Sequence, residues 1–160
     1  MRRVVLDASL MVATCIGEAE AVPLADAVLE VLHDGQAIVP AIWLSEVANV
    51  FVSRERTARQ ALRLQRVEVD AFLSFVESLP VFVDAATPQV VFGRVASLAR
   101  SSGLTVYDAL YLELAQRLAA PLGSLDDQLC RAARAAGVEV LSSDSLRAWR
   151  AESDSPREPQ

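Results

Sequence analysis

Short apolar runs alternate with longer amphipathic stretches along this chain, and the two periods predict different elements. Val4-Val5-Leu6 is too short for a helix and rich in β-branched residues, so it predicts a buried strand that ends at Asp7. Helical spacing follows over 8–16 and 23–33, the second with Leu24, Val28, Leu29, Val31 and Leu32 as its apolar positions and Gly35 as its stop. Ala37-Ile38-Val39 predicts a second strand. Beyond Pro40, Trp43, Val47, Val50 and Phe51 recur at helical intervals over 43–52. The segment 57–79 is expected to be helical with a break near Val67, and Pro80 stops it. Val81-Phe82-Val83 predicts a third strand. Thr87 then offers an N-cap and Pro88 a first helical residue, with Gly103 closing that helix. Another helix is expected from Thr105 to Ala119, a short strand within 121–124, a helix over 126–136 closed by Gly137, and a last strand over 138–141.

Strands separated by helical segments imply an α/β fold, a three-layer α/β/α sandwich around a central, mostly parallel sheet. Trp43, Phe51, Phe72 and Phe75 fall at core spacing. Residues 1–148 are expected to form a single domain, and 149–160 a polar, disordered tail. No internal repeat, Walker loop or GxGxxG is found, which removes the usual nucleotide-binding signals.

Composition narrows the setting. The chain is 52% hydrophobic, yet no uncharged apolar run approaches the ~18 residues of a membrane-spanning helix. Arg2 and Arg3 precede an apolar stretch, but Asp7 interrupts it and no convincing cleavage site follows, so secretion is not expected. Cys15 and Cys130 each sit in an apolar helical context, which suits reduced thiols and a cytoplasmic location better than a disulfide framework. A net charge of −6 argues against nucleic-acid binding through a broadly basic surface. One segment runs against that balance: Arg54, Arg56, Arg59, Arg63 and Arg66 against Glu55 give five minus one, or +4, over 54–66. It is either a solvated helical face or a phosphate-contacting flank.

Four acids stand where strands end or helices begin: Asp7, Glu46, Asp108 and Asp126. In a parallel sheet, positions just past the strands share the rim where ligands bind. Carboxylates gathered there repel unless a cation neutralises them, and oxygen donors favour Mg²⁺ or Mn²⁺. Two of the acids also have an ordinary explanation. Asp108 lies three after Thr105 and can complete a capping box; Glu46, which shares a helix face with Asn49, can pair with an arginine. Ser124 and Asp127 are expected to cap the following helix, which leaves Asp126 at its second position with no capping duty. Asp7 is the hardest to explain structurally, since aspartate is a poor strand former. His33 as the only histidine and the lack of paired cysteine spacing argue against a zinc site or a Ser-His-Asp triad.

Four stretches together resemble the PIN-domain ribonucleases, most closely VapC-type toxins of type II toxin-antitoxin pairs. They are residues 4–9 (VVLDAS), 39–49 (VPAIWLSEVAN), 103–115 (GLTVYDALYLELA) and 121–129 (PLGSLDDQL), and the resemblance spans roughly 4–141. It implies an endoribonuclease whose acidic centre is Asp7, Glu46, Asp108 and Asp126, with Asp7 and Asp108 as the most direct ligands of Mg²⁺ or Mn²⁺. Ser9 and Ser124 match hydroxyl positions that support the carboxylates, Ser124 standing where the family more often has threonine; Asn49 and Thr105 are further supporting positions. The resemblance also implies RNA as substrate, a homodimer and a cognate VapB-type antitoxin. Arg54, Arg59, Arg63 and Arg66 are candidates for contact with RNA or that partner. Two rivals are considered. Phosphoaspartyl phosphatases need a second aspartate two residues after the first, where this chain has Ser9. A PIN-like module that binds RNA without cutting it is the alternative.

Overall fold

The computed structural model describes residues 3–17, 28, 32, 36–59 and 62–141. Strand β1 (Arg3–Leu6) leads into helix α1 (Ala8–Ile16), and β2 (Gln36–Pro40) into α2 (Ile42–Arg56). Helix α3 (Arg66–Ser78) precedes β3 (Val81–Asp84). A helix then runs from residue 88, passing through a π-helical segment (Val90–Val95) into α4 (Ala96–Ser102). Helix α5 (Val106–Leu118), β4 (Leu122–Gly123) and α6 (Asp127–Ala135) follow.

The strands form one sheet in the order β3-β2-β1-β4, parallel at every pairing. Val4, Val5 and Leu6 are successive and all buried, so both faces of β1 are covered, as a parallel sheet between helical layers requires. The expected strand over 138–141 is reduced to one parallel bridge, Leu122 to Val140, on the far side of β4. It is tied by the Leu122 N–H donating to the Glu139 carbonyl and the Leu141 N–H to the Leu122 carbonyl, each at 2.8 Å.

Most boundaries fall where sequence signals place them. Gly17 and Gly103 end their helices in the left-handed region, at φ 73° and 68°. The helix expected over 57–79 is shorter: Gln65 caps α3 at residue 66, its side chain and that of Glu68 closing a reciprocal box. Of the helix expected over 23–33, only Val28 and Leu32 are described, both helical and buried; His33, Gly35 and the segment 142–160 lie outside the described residues. In the core, Trp43, Tyr111 and Phe51 are the largest fully buried side chains, and the rings of Phe51 and Phe72 stack at 5.2 Å. Phe75, expected in the core, is instead exposed. Cys15 and Cys130 are free thiols, and no helix among the described residues is long and apolar enough to cross a membrane.

This topology fixes where a ligand can sit. From β1 the chain moves outward through β2 to β3, then returns to place β4 on the other side of β1. Strand order therefore reverses at β1, and the crevice beyond its carboxyl end is the favoured ligand position in an open parallel sheet. Asp7 is the first residue past that end.

Candidate active site

Asp7 is 7% exposed and its backbone N–H donates to the Gly123 carbonyl at 2.9 Å, locking it to the end of β4. Its Oδ2 accepts a proton from Ser124 at 2.7 Å and a second from Ser9. Each serine then accepts a backbone N–H from the loop after β4: Leu125 to Ser9 at 3.1 Å, Asp126 to Ser124 at 3.0 Å. One carboxyl thus stitches the ends of two adjacent strands together. Burial pushes its pKa up; the hydrogen bonds from Ser9, Ser124 and the Ala8 N–H oppose the rise without cancelling it, and the charge of Asp126 adds to it.

Glu46 is half-buried on α2. Its Oε2 accepts the hydroxyl proton of Tyr111, a side chain buried on α5. Burial raises the Glu46 pKa, the Tyr111 bond opposes the rise, and the charges of Asp7 and Asp108 reinforce it. The charge of Asp126 acts on Asp7, and those of Asp7 and Asp108 act on Glu46, so the four acids are linked pairwise along the rim.

Asp108 and Asp126 each carry a capping duty as well. Thr105 is the N-cap of α5: its hydroxyl accepts the Asp108 N–H at 3.1 Å and donates to Asp108 Oδ2 at 2.7 Å. The expected Thr105–Asp108 cap is present. The expected Ser124–Asp127 cap is not. Asp126 is the N-cap of α6, its Oδ1 accepting the Leu129 N–H at 2.7 Å, because the Ser124 hydroxyl is already committed to Asp7 and the Asp126 N–H. Asn49, one turn past Glu46, is exposed.

The sequence pattern overlooked Tyr111, although it lies three residues after Asp108 and so on the same face of α5. It also overlooked a second polar cluster on that helix. Glu113 is buried, with Arg94 at 3.1 Å and Arg117 at 3.2 Å, and Arg117 reaches Asp84 at 2.7 Å. In the basic segment, Arg59, Arg63 and Arg66 are exposed, Arg66 lying 3.9 Å from Asp70; Arg54 is half-buried.

The donor set at the rim is oxygen only, anionic and partly desolvated, which suits a hard divalent cation. As the side chains stand, no group of three or more His, Cys, Asp or Glu among the described residues is arranged to hold a metal ion. Mg²⁺ commonly takes one or two protein carboxylates and keeps water for the rest of its shell, so a two-carboxylate site is compatible with this arrangement.

Solved structures share the fold. PAE2754 from Pyrobaculum aerophilum superposes with a TM-score of 0.63 at 18% identity, covering 94% of this chain and 98% of its own. FitAcB from Neisseria gonorrhoeae gives 0.57 at 15%, covering 88% and 97%. VapBC2 from Rickettsia felis, solved bound to a DNA fragment from their promoter, gives 0.56 at 10%, covering 87% and 97%. No curated protein matches the sequence. The sequence model of the PIN domain matches residues 4–135, from the first strand through α6 and across all four rim acids. On that match, together with the parallel sheet and the rim it builds, this chain belongs to the PIN domain family.

Proposed function

We propose that this protein is a divalent-metal-dependent endoribonuclease of the VapC type, the toxin of a pair neutralised by a cognate VapB-type antitoxin. The observation that carries the reading is the run of acids at the strand-order reversal, Asp126 beside Asp7 and both Asp7 and Asp108 beside Glu46, with the pKa values of Asp7 and Glu46 raised by burial and by these like charges. Such repulsion is relieved by a cation.

Asp7 and Asp108 are the residues that would hold Mg²⁺ or Mn²⁺, with Glu46 and Asp126 completing the site directly or through water. The ion supplies positive charge against the scissile phosphate and activation of a water for in-line attack. Ser9 and Ser124 fix Asp7 through its Oδ2. Thr105 fixes Asp108 in the same way. Cleavage needs Asp7 and Glu46 ionised, and burial raises the pKa of both, so ion uptake and proton release are coupled there. The exposed Arg59, Arg63 and Arg66 offer phosphate contacts that an acidic rim lacks. A homodimer and a cytoplasmic setting belong to the same reading. The likenesses to VapBC2 and FitAcB support it through the fold alone.

The test is cleavage of a labelled RNA by the purified chain with and without Mn²⁺. Cleavage that is lost on chelation and in Asp7→Asn supports the reading. Cleavage undiminished by chelator overturns the metal dependence, and RNA bound but never cut returns the protein to a non-catalytic binding module. Coexpression with the product of a short adjoining reading frame, where one exists, tests the antitoxin.

A further inference from the structure

Tyr111 is 0% exposed, and a fully buried tyrosine must place its hydroxyl. The ring lies in the core, but the hydroxyl ends at the acidic rim, donating to Oε2 of Glu46. The backbone N–H of Ala8 acts on that same hydroxyl and on the carboxyl of Asp7. The Asp7 charge also reaches Tyr111. The phenol is therefore bonded to the carboxylate of Glu46 on α2 and within reach of the charge of Asp7, just past β1, while its own helix carries Asp108 one turn before it.

We infer that Tyr111 is a positioning residue: by donating to one oxygen of Glu46 it fixes that carboxylate at the rim and leaves its second oxygen, Oε1, for the cation or its water. The inference rests on the metal-dependent reading above and adds to it a hydroxyl that touches neither ion nor RNA. A carboxylate on a flexible side chain beside two like charges swings away from them unless something holds it. The tyrosine hydroxyl holds it without adding charge, and its burial leaves it no competing water. A carboxylate with one oxygen so engaged acts as a single-oxygen ligand or a water holder.

Tyr111→Phe keeps the ring and deletes only the donor. Calorimetric titration with Mn²⁺ alone is expected to show binding weaker on the order of 10-fold, the scale typical of losing a group that orients a metal ligand. Under saturating Mn²⁺ the RNA KM is expected to be unchanged while kcat falls. In the Glu46→Gln background the same substitution is expected to add nothing, because its effect passes through Glu46. Wild-type Mn²⁺ affinity in Tyr111→Phe, or an equal loss in both backgrounds, overturns the positioning role and leaves the nuclease reading intact. A wild-type protein that takes up no Mn²⁺ overturns both. A lowered melting temperature with unaltered Mn²⁺ affinity reduces Tyr111 to a core residue.

Discussion

Ser124 donates its hydroxyl proton to Oδ2 of Asp7 at 2.7 Å, across a sequence separation of 117 residues. The same hydroxyl accepts the Asp126 N–H, so one small side chain orients the central carboxylate and shapes the start of α6. Ser124→Ala removes both bonds within a buried site. The expected cost is about 1–3 kcal/mol, measured by urea unfolding. Mn²⁺ affinity falls with it, because Asp7 loses a bond that favours its charged form.

Ionised Asp7 is expected to cost the folded chain stability. A carboxyl buried among like charges favours its neutral form, so Asp7→Asn is expected to raise the melting temperature in the absence of divalent ions by about 2–4 °C, the equivalent of about 1 kcal/mol. RNA cleavage is lost in the same variant. A drop in melting temperature of comparable size contradicts this account of Asp7.

The pH dependence follows from the same residue. In the folded chain Asp7 and Glu46 bind their protons more tightly than in the unfolded chain. Between the two pKa values the folded state carries more protons, so their contribution to stability is greatest in acid and is lost as pH rises through the folded values. Chelated wild type is therefore expected to lose stability relative to Asp7→Asn as pH rises from about 4, the ordinary carboxylate range. Saturating Mn²⁺ is expected to flatten that difference by stabilising the ionised form. Thermal melts across pH, with and without Mn²⁺, measure it.

Asp126 separates two roles by the choice of substitution. Asparagine caps a helix as well as aspartate does, whereas alanine does not. Asp126→Ala is expected to cost about 0.5–2 kcal/mol, and Asp126→Asn close to none. If Asp126→Asn nevertheless loses cleavage, its charge is needed at the rim; if it cleaves as wild type, Asp126 is a cap and no more.

Glu113 has a different part. Its side chain is 3% exposed between Arg94 and Arg117. Glu113→Gln is expected to cost about 1–3 kcal/mol, since it takes a buried charge from two cations. Arg94→Ala is expected to cost about 0–1 kcal/mol, because that side chain is 58% exposed. Equal losses in the two variants contradict the view that burial sets the cost.

Much of this molecule was legible from local pattern. The apolar runs at 4–6, 37–39 and 81–83 are strands, and the Thr105 and Gly103 signals mark helix ends. Those features depend on backbone preferences and periodicity within a few residues. The placement of Asp7 just past a strand was legible for the same reason. What local pattern misjudged was the competition for donors. Ser124 and Asp126 both have residue types that cap helices, and spacing alone favoured Ser124. Only the packing of β4 beside β1 brings Ser124 against Asp7, and that leaves the cap to Asp126. Tyr111 likewise carried no signal of its own in the sequence, since only the packing of α2 and α5 brings Glu46, 65 residues away in sequence, to its hydroxyl. Sequence by itself determined the elements and the acids at their ends, because these follow from local backbone and burial preferences. The tertiary structure decided which hydroxyl meets which carboxylate, because such pairings are set by strand order and helix packing between distant segments.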